Sequence, residues 1–139
     1  MTTAYYNDYP SEVIDLVNPN AVCDDLPALP KHHDQAFGGL VNNNMPVVCG
    51  GFMKESFSIQ SNCYHINQTQ SYDTSYGLQQ PREQASAIVL KDEVLWVTGG
   101  YVGNGTGGSA TNKTELVWLD KPATDGPELP IQWFINHCS

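Results

Sequence analysis

The stretch Glu93-Val-Leu-Trp-Val-Thr-Gly-Gly100 is a short run of apolar and β-branched residues that stops at a pair of glycines. A second stretch, Pro46-Val-Val-Cys-Gly-Gly51, has the same form. An apolar run of this length, bounded by turn residues, predicts a strand that is buried on both faces. The glycines end each strand, because a residue without Cβ can adopt positive φ and lie close to another chain segment.

The two diglycines also indicate an internal repeat. Gly50 and Gly99 are 49 residues apart. A second similarity joins the two ends of the chain at a constant offset of 103 residues, which is about twice that spacing. It matches Glu12 with Glu115, Leu16 with Leu119, Pro19 with Pro122, and Leu26-Pro27 with Leu129-Pro130. Self-similarity at a fixed period of this size is typical of repeat architectures.

The composition is that of one acidic, turn-rich domain. The chain has 139 residues, with 6 Lys and Arg against 15 Asp and Glu, and a net charge of −9. Such a charge disfavours nucleic acid and anionic membranes as partners, and its simplest role is to keep the surface soluble. No stretch approaches the ~20 apolar residues of a membrane span. Valine, tyrosine, glycine, proline and asparagine occur throughout, which predicts an all-β fold with many turns.

Each repeat is predicted to contain short strands joined by turns and loops. The predicted strands are residues 11–17, 35–41, 46–49, 62–67, part of 72–78, 82–90, 94–98 and 114–119. Residues 53–60 and 101–110 are predicted loops. The second loop is rich in glycine, but it lacks the Gly-Lys-Ser/Thr sequence and the following helix of a phosphate-binding loop.

The order strand, turn, strand ending in Gly-Gly, loop and aromatic-bearing strand resembles the kelch motif of β-propeller proteins. A kelch repeat has about 50 residues, which agrees with the spacing found here. The residues that carry the resemblance are Gly50 and Gly51 with Tyr64 and Tyr72, then Pro81 and Arg82 with Gly99, Gly100 and Glu115. The usual tryptophan after the kelch tyrosine is absent from the first unit, and no tyrosine stands at that place in the second.

The resemblance implies four-stranded antiparallel blades that form an incomplete propeller within this chain. It divides the chain into a polar lead-in (1–10) and a kelch-repeat segment (11–139). The segment comprises a partial blade (11–30), blades over about 31–80 and 81–130, and the start of a further blade (131–139). Two complete blades are too few to close a ring, so the resemblance implies a piece of a larger propeller or an assembly of copies. Arg82 would anchor the start of its strand by hydrogen bonds to a neighbouring loop.

The cysteines leave two readings open. In the blade arrangement, Cys49 ends the second strand and Cys63 lies on the antiparallel strand beside it, within disulfide range. A disulfide there and two buried free thiols are the alternatives. Cys23 and Cys138 pair with each other, pair with other segments, or stay free. Cysteine-bearing kelch proteins of invertebrates, which the pattern also resembles, imply an extracellular location.

Three glycosylation sequons also favour a secreted glycoprotein, although no signal peptide is visible in the chain. The candidate asparagines are Asn67, Asn104 and Asn112.

The sequence predicts no enzyme, no catalytic residue, no cofactor and no metal. Adjacent histidines such as His32 and His33 point to opposite sides of an extended segment, which favours a surface loop over a metal site. No Gly-x-Ser-x-Gly elbow is present, and Arg82 is the single arginine, whereas a sialidase-type propeller needs several. The function expected is binding of a protein or a glycan by the inter-strand loops. The alternatives are a structural protein whose copies assemble through open blade faces, and a catalytic propeller whose other blades lie outside this chain.

Overall fold

The computed structural model describes residues 11–13, 16–18, 20–22, 24–67, 69–103 and 108–130. Those residues form strands and turns and no helix, so the all-β prediction is confirmed. The strands are β1 (Ser11–Val13), β2 (Asp24–Leu26), β3 (Phe37–Val41), β4 (Met45–Cys49), β5 (Phe52–Met53), β6 (Ser58–Ile59), β7 (Cys63–Ile66), β8 (Ser71–Asp73), β9 (Arg82–Glu83), β10 (Ser86–Leu90), β11 (Val94–Thr98), β12 (Tyr101–Gly103), β13 (Gly108–Ala110), β14 (Thr114–Val117) and β15 (Thr124–Asp125).

Two four-stranded antiparallel sheets form the centre of the structure. Sheet 1 has the strand order β3-β4-β7-β8, and sheet 2 has the order β10-β11-β14-β15. Smaller sheets are formed by β13-β12-β9, by β5-β6 and by β1-β2. This architecture is compatible with a β-propeller-like fold, and the described residues contain no closed propeller.

Sheets 1 and 2 repeat each other in backbone conformation at the spacing of 49 residues. The β3–β4 register pairs Phe37 with Cys49, and the β10–β11 register pairs Ser86 with Thr98. Positive φ values also recur at this spacing, and some of them belong to residues other than glycine. They are 57° and 53° at Gln35 and Gln84, 65° and 59° at Asn43 and Asp92, 64° and 61° at Gly50 and Gly99, and 92° and 90° at Gly51 and Gly100.

The two sheets pack face to face, with β3 of sheet 1 against β10 and β11 of sheet 2. A Cβ atom at Gly39 would lie 2.7 Å from Val89 Cγ2 and 3.0 Å from Leu95 Cδ1, so the backbone of β3 touches the facing side chains. The alternate residues of the long strands supply one apolar core, as half-buried strands require. Its buried members are Phe37, Val41, Val47, Cys49, Cys63, Leu78, Leu95, Val97, Val117 and Ala123.

Equivalent turns of the two sheets are also bonded to each other. The backbone N–H groups of Asn42 and Asn43 donate to the carbonyl and the carboxylate of Asp92, at 2.7 and 2.9 Å. At the other end, Gln84 donates from its backbone and its side chain to Gln35, at 3.1 and 2.9 Å. These bonds fix the position of sheet 2 relative to sheet 1 at both ends of the strands.

The N-terminal hairpin continues the same pattern. The β1–β2 register places Glu12 opposite Asp25, as β7–β8 places Tyr64 opposite Asp73 and β14–β15 places Glu115 opposite Asp125. The hairpin thus corresponds to the last two strands of a four-stranded sheet. The predicted lead-in (1–10) and the predicted start of a further blade (131–139) lie outside the described residues.

Four of the strand and loop predictions are wrong. The predicted strand 11–17 is too long, because β1 is Ser11–Val13 and residues 16 and 17 form a bend. Residues 82–90 are not one strand, because Gln84 has a φ of 53° and separates β9 from β10. Residues 53–60 and 101–110 are not simple loops, since β5 pairs with β6, and β12 pairs with β13 and β9. Pairing between segments satisfies the backbone groups of these glycine- and serine-rich stretches, and composition alone does not show such pairing.

Candidate functional site at the diglycine end

The first diglycine is a contact point between the repeats. We define the diglycine end as the end of sheets 1 and 2 at which β4 and β11 stop. A Cβ atom at Gly50 would lie 2.4 Å from the Arg82 carbonyl oxygen, and the N–H of Gly51 donates to that oxygen at 2.8 Å. The glycines therefore allow both positive φ and the close approach of the segment that begins the second repeat.

Arg82 is fully buried at this end and ties three segments together. Its Nη2 donates to Glu115 Oε1 at 2.6 Å, and its Nη1 donates to the carbonyls of Gly99 and Lys113 at 2.7 and 3.1 Å. The side chain thus joins the start of β9 to the second diglycine and to β14. This is the anchoring role that the sequence suggested for Arg82, with Glu115 as its ionic partner.

Glu115 also accepts hydrogen bonds from two backbone groups. The backbone N–H groups of Gln79 and Gln80 donate to its two carboxylate oxygens at 2.6 and 3.3 Å. Arg82 and Glu115 are 0% and 2% exposed. A carboxylate that is enclosed and holds three hydrogen bonds within the protein is not accessible to a substrate, so the pair is a structural ion pair.

In the first repeat, His33 and Tyr64 occupy the positions that are equivalent to Arg82 and Glu115 in the second repeat. His33 precedes Arg82 by 49 residues, and its Nδ1 lies 2.8 Å from the Gly50 carbonyl oxygen. The register that pairs Val97 with Glu115 in sheet 2 pairs Val48 with Tyr64 in sheet 1. The rings of His33 and Tyr64 meet edge to face at 5.2 Å between centroids.

From the sequence, His33 was predicted to lie in a surface loop, and its structural role was not anticipated. The sequence signal for this role is the spacing of 49 residues between His33 and Arg82.

A disulfide joins Cys49 and Cys63 across β4 and β7. The two residues are directly opposite each other, with Cα atoms 4.1 Å apart, and both are buried in the core. The equivalent pair in sheet 2 is Thr98 and Thr114. A disulfide is compatible with an oxidising, extracellular setting. Cys23 and Cys138, whose pairing the sequence left open, lie outside the described residues.

Two hairpins extend the sheets at the diglycine end, and β9 links them. The β5–β6 hairpin follows the first diglycine, and β12–β13 follows the second. The N–H of Arg82 donates to the carbonyl of Gln60 at 3.1 Å, which links the end of the first hairpin to β9 of the neighbouring sheet. We call the exposed part of these hairpins, with residues 54–57 at its tip, the hairpin surface.

Phe57 is the most exposed aromatic side chain recorded among the described residues, at 65%. It lies at the tip of the β5–β6 hairpin with a φ of 52°, which is uncommon for a bulky residue. The rings of Phe57 and Phe52 pack edge to face, with their centroids 5.5 Å apart. The hairpin therefore presents an aromatic ring to solvent in a defined position.

Charged and polar side chains lie on and next to the first hairpin, since Lys54 is in its turn and Asp34 pairs with Phe52. Lys54 Nζ lies 2.8 Å from Asp34 Oδ2, and His32 Nε2 lies 3.5 Å from Asp34 Oδ1. The hydrogen bond from Lys54 lowers the pKa of Asp34. On β9, which pairs with the second hairpin, burial raises the pKa of Glu83, which is opposite Tyr101.

No group of three or more His, Cys, Asp or Glu side chains within the described ranges is arranged to hold a metal ion. In the same residues, no helix has the length and apolar character needed to cross a membrane. His137 lies outside the described residues.

Comparisons with known proteins give no family assignment. No protein-family model matches the chain, and no curated protein matches it. The fold and the site are therefore the basis for any functional argument.

Proposed function

We propose that this chain is a non-enzymatic, kelch-type propeller module that binds a protein or a glycan through the hairpin surface. The observation that carries the proposal is the exposed ring of Phe57 on a hairpin tied to a rigid base. Aromatic rings lose little conformational entropy on binding and are enriched in the centres of protein interfaces. The base is held by the Arg82–Glu115 pair and by the bonds between Gly51, Gln60 and Arg82.

The exposed face of sheet 2 supports the further proposal that the chain is part of a larger propeller. Val41 and Val47 of sheet 1 are buried against sheet 2. Their counterparts 49 residues later are Leu90 and Trp96, which lie on the opposite face of sheet 2 from the core. Leu90 and the neighbouring Ile88 are exposed among the described residues. An apolar face whose counterpart is covered in the first repeat indicates that another sheet covers it in the complete protein.

Binding by the hairpin surface is tested by replacing Phe57 with alanine. We expect Phe57→Ala to weaken binding at least 10-fold, since loss of a central interface aromatic costs about 2 kcal/mol or more. The probes are an array of defined oligosaccharides and a displayed peptide library, and the affinity of the best ligand is measured by calorimetry. Tyr76→Ala is the matched control, because Tyr76 is also an exposed aromatic but lies outside the hairpins.

A ligand that binds Phe57→Ala and the unmodified chain equally well would place recognition elsewhere on the molecule. Absence of any ligand in both libraries would count against the binding proposal as a whole.

A second candidate function, a structural protein that assembles from copies, is favoured by the same exposed face of sheet 2. Face-to-face packing of repeats is heterologous, and such contacts produce rings or filaments when copies associate. We expect assembly, if it occurs, to be abolished by Ile88→Glu, because a charge would be buried at the contact. Sedimentation velocity on the two proteins measures this. If the unmodified chain is a monomer, the assembly hypothesis is rejected and the proposal of a larger propeller remains.

A further inference from the structure

We infer that the fold accepts an N-linked glycan at Asn67 and rejects one at Asn112, although both residues begin a sequon. The inference concerns covalent modification and does not depend on the binding proposal. It compares the free space and the hydrogen bonds around the two side-chain amide nitrogens, Nδ2, because this is the atom to which the sugar is joined.

Asn67 accepts hydrogen bonds at its side-chain oxygen, and none of these bonds involves Nδ2. Oδ1 accepts hydrogen bonds from the Thr69 N–H at 2.8 Å, from the Thr69 hydroxyl at 3.0 Å and from the Gln70 N–H at 2.8 Å. Three donors identify this atom as the oxygen. Asn67 follows the end of β7 and is exposed. Substitution of Nδ2 therefore breaks none of these bonds.

The surroundings of Asn67 have room for a sugar. Asn67 lines an open cleft of about 400 Å³, together with Leu26, Pro46, Ile66 and the asparagines of the β3–β4 turn. This cleft is at the turn end of sheet 1, opposite the diglycine end. A glycan at this position leaves the hairpin surface accessible.

The modification itself is a glycosyl transfer from a lipid pyrophosphate-linked oligosaccharide. The bond between the anomeric carbon and the pyrophosphate oxygen breaks, and a bond from that carbon to Asn67 Nδ2 forms. One amide proton is released, and the lipid pyrophosphate is the leaving group. The hydroxyl that the sequon requires is that of Thr69, which already lies beside the Asn67 amide.

Asn112 uses the atom that would carry the sugar. Its Nδ2 donates to the Leu129 carbonyl at 3.3 Å and to Glu128 Oε2 at 3.4 Å. The Leu129 N–H donates to the Asn112 carbonyl at 2.8 Å, which holds residues 128–129 against this side chain. A sugar on Nδ2 removes one of the two donors and displaces that segment.

The sequon hydroxyl of Asn112 is also inaccessible. Thr114 is 2% exposed, and its hydroxyl donates to the Pro127 carbonyl at 2.8 Å. An enzyme that recognises this hydroxyl cannot reach it without unfolding of residues 126–130. Folding of this region and glycosylation at Asn112 are therefore mutually exclusive. Asn104, the third sequon asparagine, lies outside the described residues, and the experiment removes it.

The test directs the full chain, with Asn104→Gln, into the secretory pathway of a eukaryotic cell behind a cleavable leader. We expect mass spectrometry of the secreted protein to find a glycan on the Asn67 peptide and none on the Asn112 peptide. Asn67→Gln should abolish the endoglycosidase-sensitive mass shift, and the matched variant Asn112→Gln should leave it unchanged. Secreted protein without a glycan at Asn67, or with one at Asn112, would overturn the inference.

A second measurement does not require secretion. The purified, oxidised chain is treated with a eukaryotic oligosaccharyltransferase and a lipid-linked oligosaccharide. We expect Asn67 to be modified in the folded chain and Asn112 to be modified only when the chain has been denatured. Modification of Asn112 in the folded chain, or failure at Asn67 there, contradicts the inference.

Discussion

Replacement of Arg82 by methionine is expected to lower the free energy of unfolding by about 3–5 kcal/mol, because it leaves a buried carboxylate without its ionic partner. Glu115 keeps the N–H donors of Gln79 and Gln80, but its charge is no longer compensated. The Gly99 and Lys113 carbonyls also lose their shared donor. Equilibrium urea denaturation, followed by tryptophan fluorescence, measures the change.

Two further variants show whether the charge or the packing is responsible. The double variant Arg82→Met, Glu115→Met should recover most of the loss, since apolar residues of similar volume often replace a buried ion pair without cost. Lys121→Met removes a positive charge that lies 4.3 Å from the centre of the Trp118 ring, and it should cost about 1 kcal/mol or less. If Arg82→Met is as stable as Lys121→Met, the ion pair is not a structural anchor.

Reduction of the Cys49–Cys63 disulfide is expected to lower stability by roughly 3 kcal/mol. The bond closes a loop with a sequence separation of 14 residues, and in the chain-entropy model the loss arises in the unfolded state. Urea denaturation with and without reductant measures it, in a Cys23→Ser, Cys138→Ser background so that reductant acts on one bond.

The control for reduction is the variant Cys49→Ala, Cys63→Ala in the same background. Its denaturation midpoint should not respond to reductant, and it should be less stable than the reduced chain because two buried sulfur atoms are also lost. Equal midpoints of the oxidised and reduced chains would show that the bond does not stabilise the fold.

The Arg82 and disulfide predictions differ in how far they could be made from the sequence. The disulfide pair was a candidate as soon as Cys49 and Cys63 were assigned to neighbouring antiparallel strands, since such strands place opposite Cα atoms within reach. Glu115 was recognised as a repeat position, but nothing in one sequence shows that its carboxylate meets Arg82. That contact joins residues 33 apart, one on β9 of the three-stranded sheet and the other on β14 of sheet 2.

The hairpins show the same limit. Residues 101–110 are rich in glycine, so their composition favours a loop. In the structure β12 pairs with β9, which the positive φ of Gln84 separates from β10. The position of His33 likewise depends on a contact between distant segments, since its Nδ1 lies 2.8 Å from the Gly50 carbonyl oxygen.

The primary structure was sufficient for the all-β class, the diglycine strand ends and the spacing of 49 residues, because alternation, turn residues and periodicity are local properties of a chain. The partners of Arg82, the exposure of Phe57 and the difference between Asn67 and Asn112 became visible with the folded chain. These features depend on which distant segments meet. That choice is made by strand register and by the packing of one sheet on another, where contributions from many residues are summed.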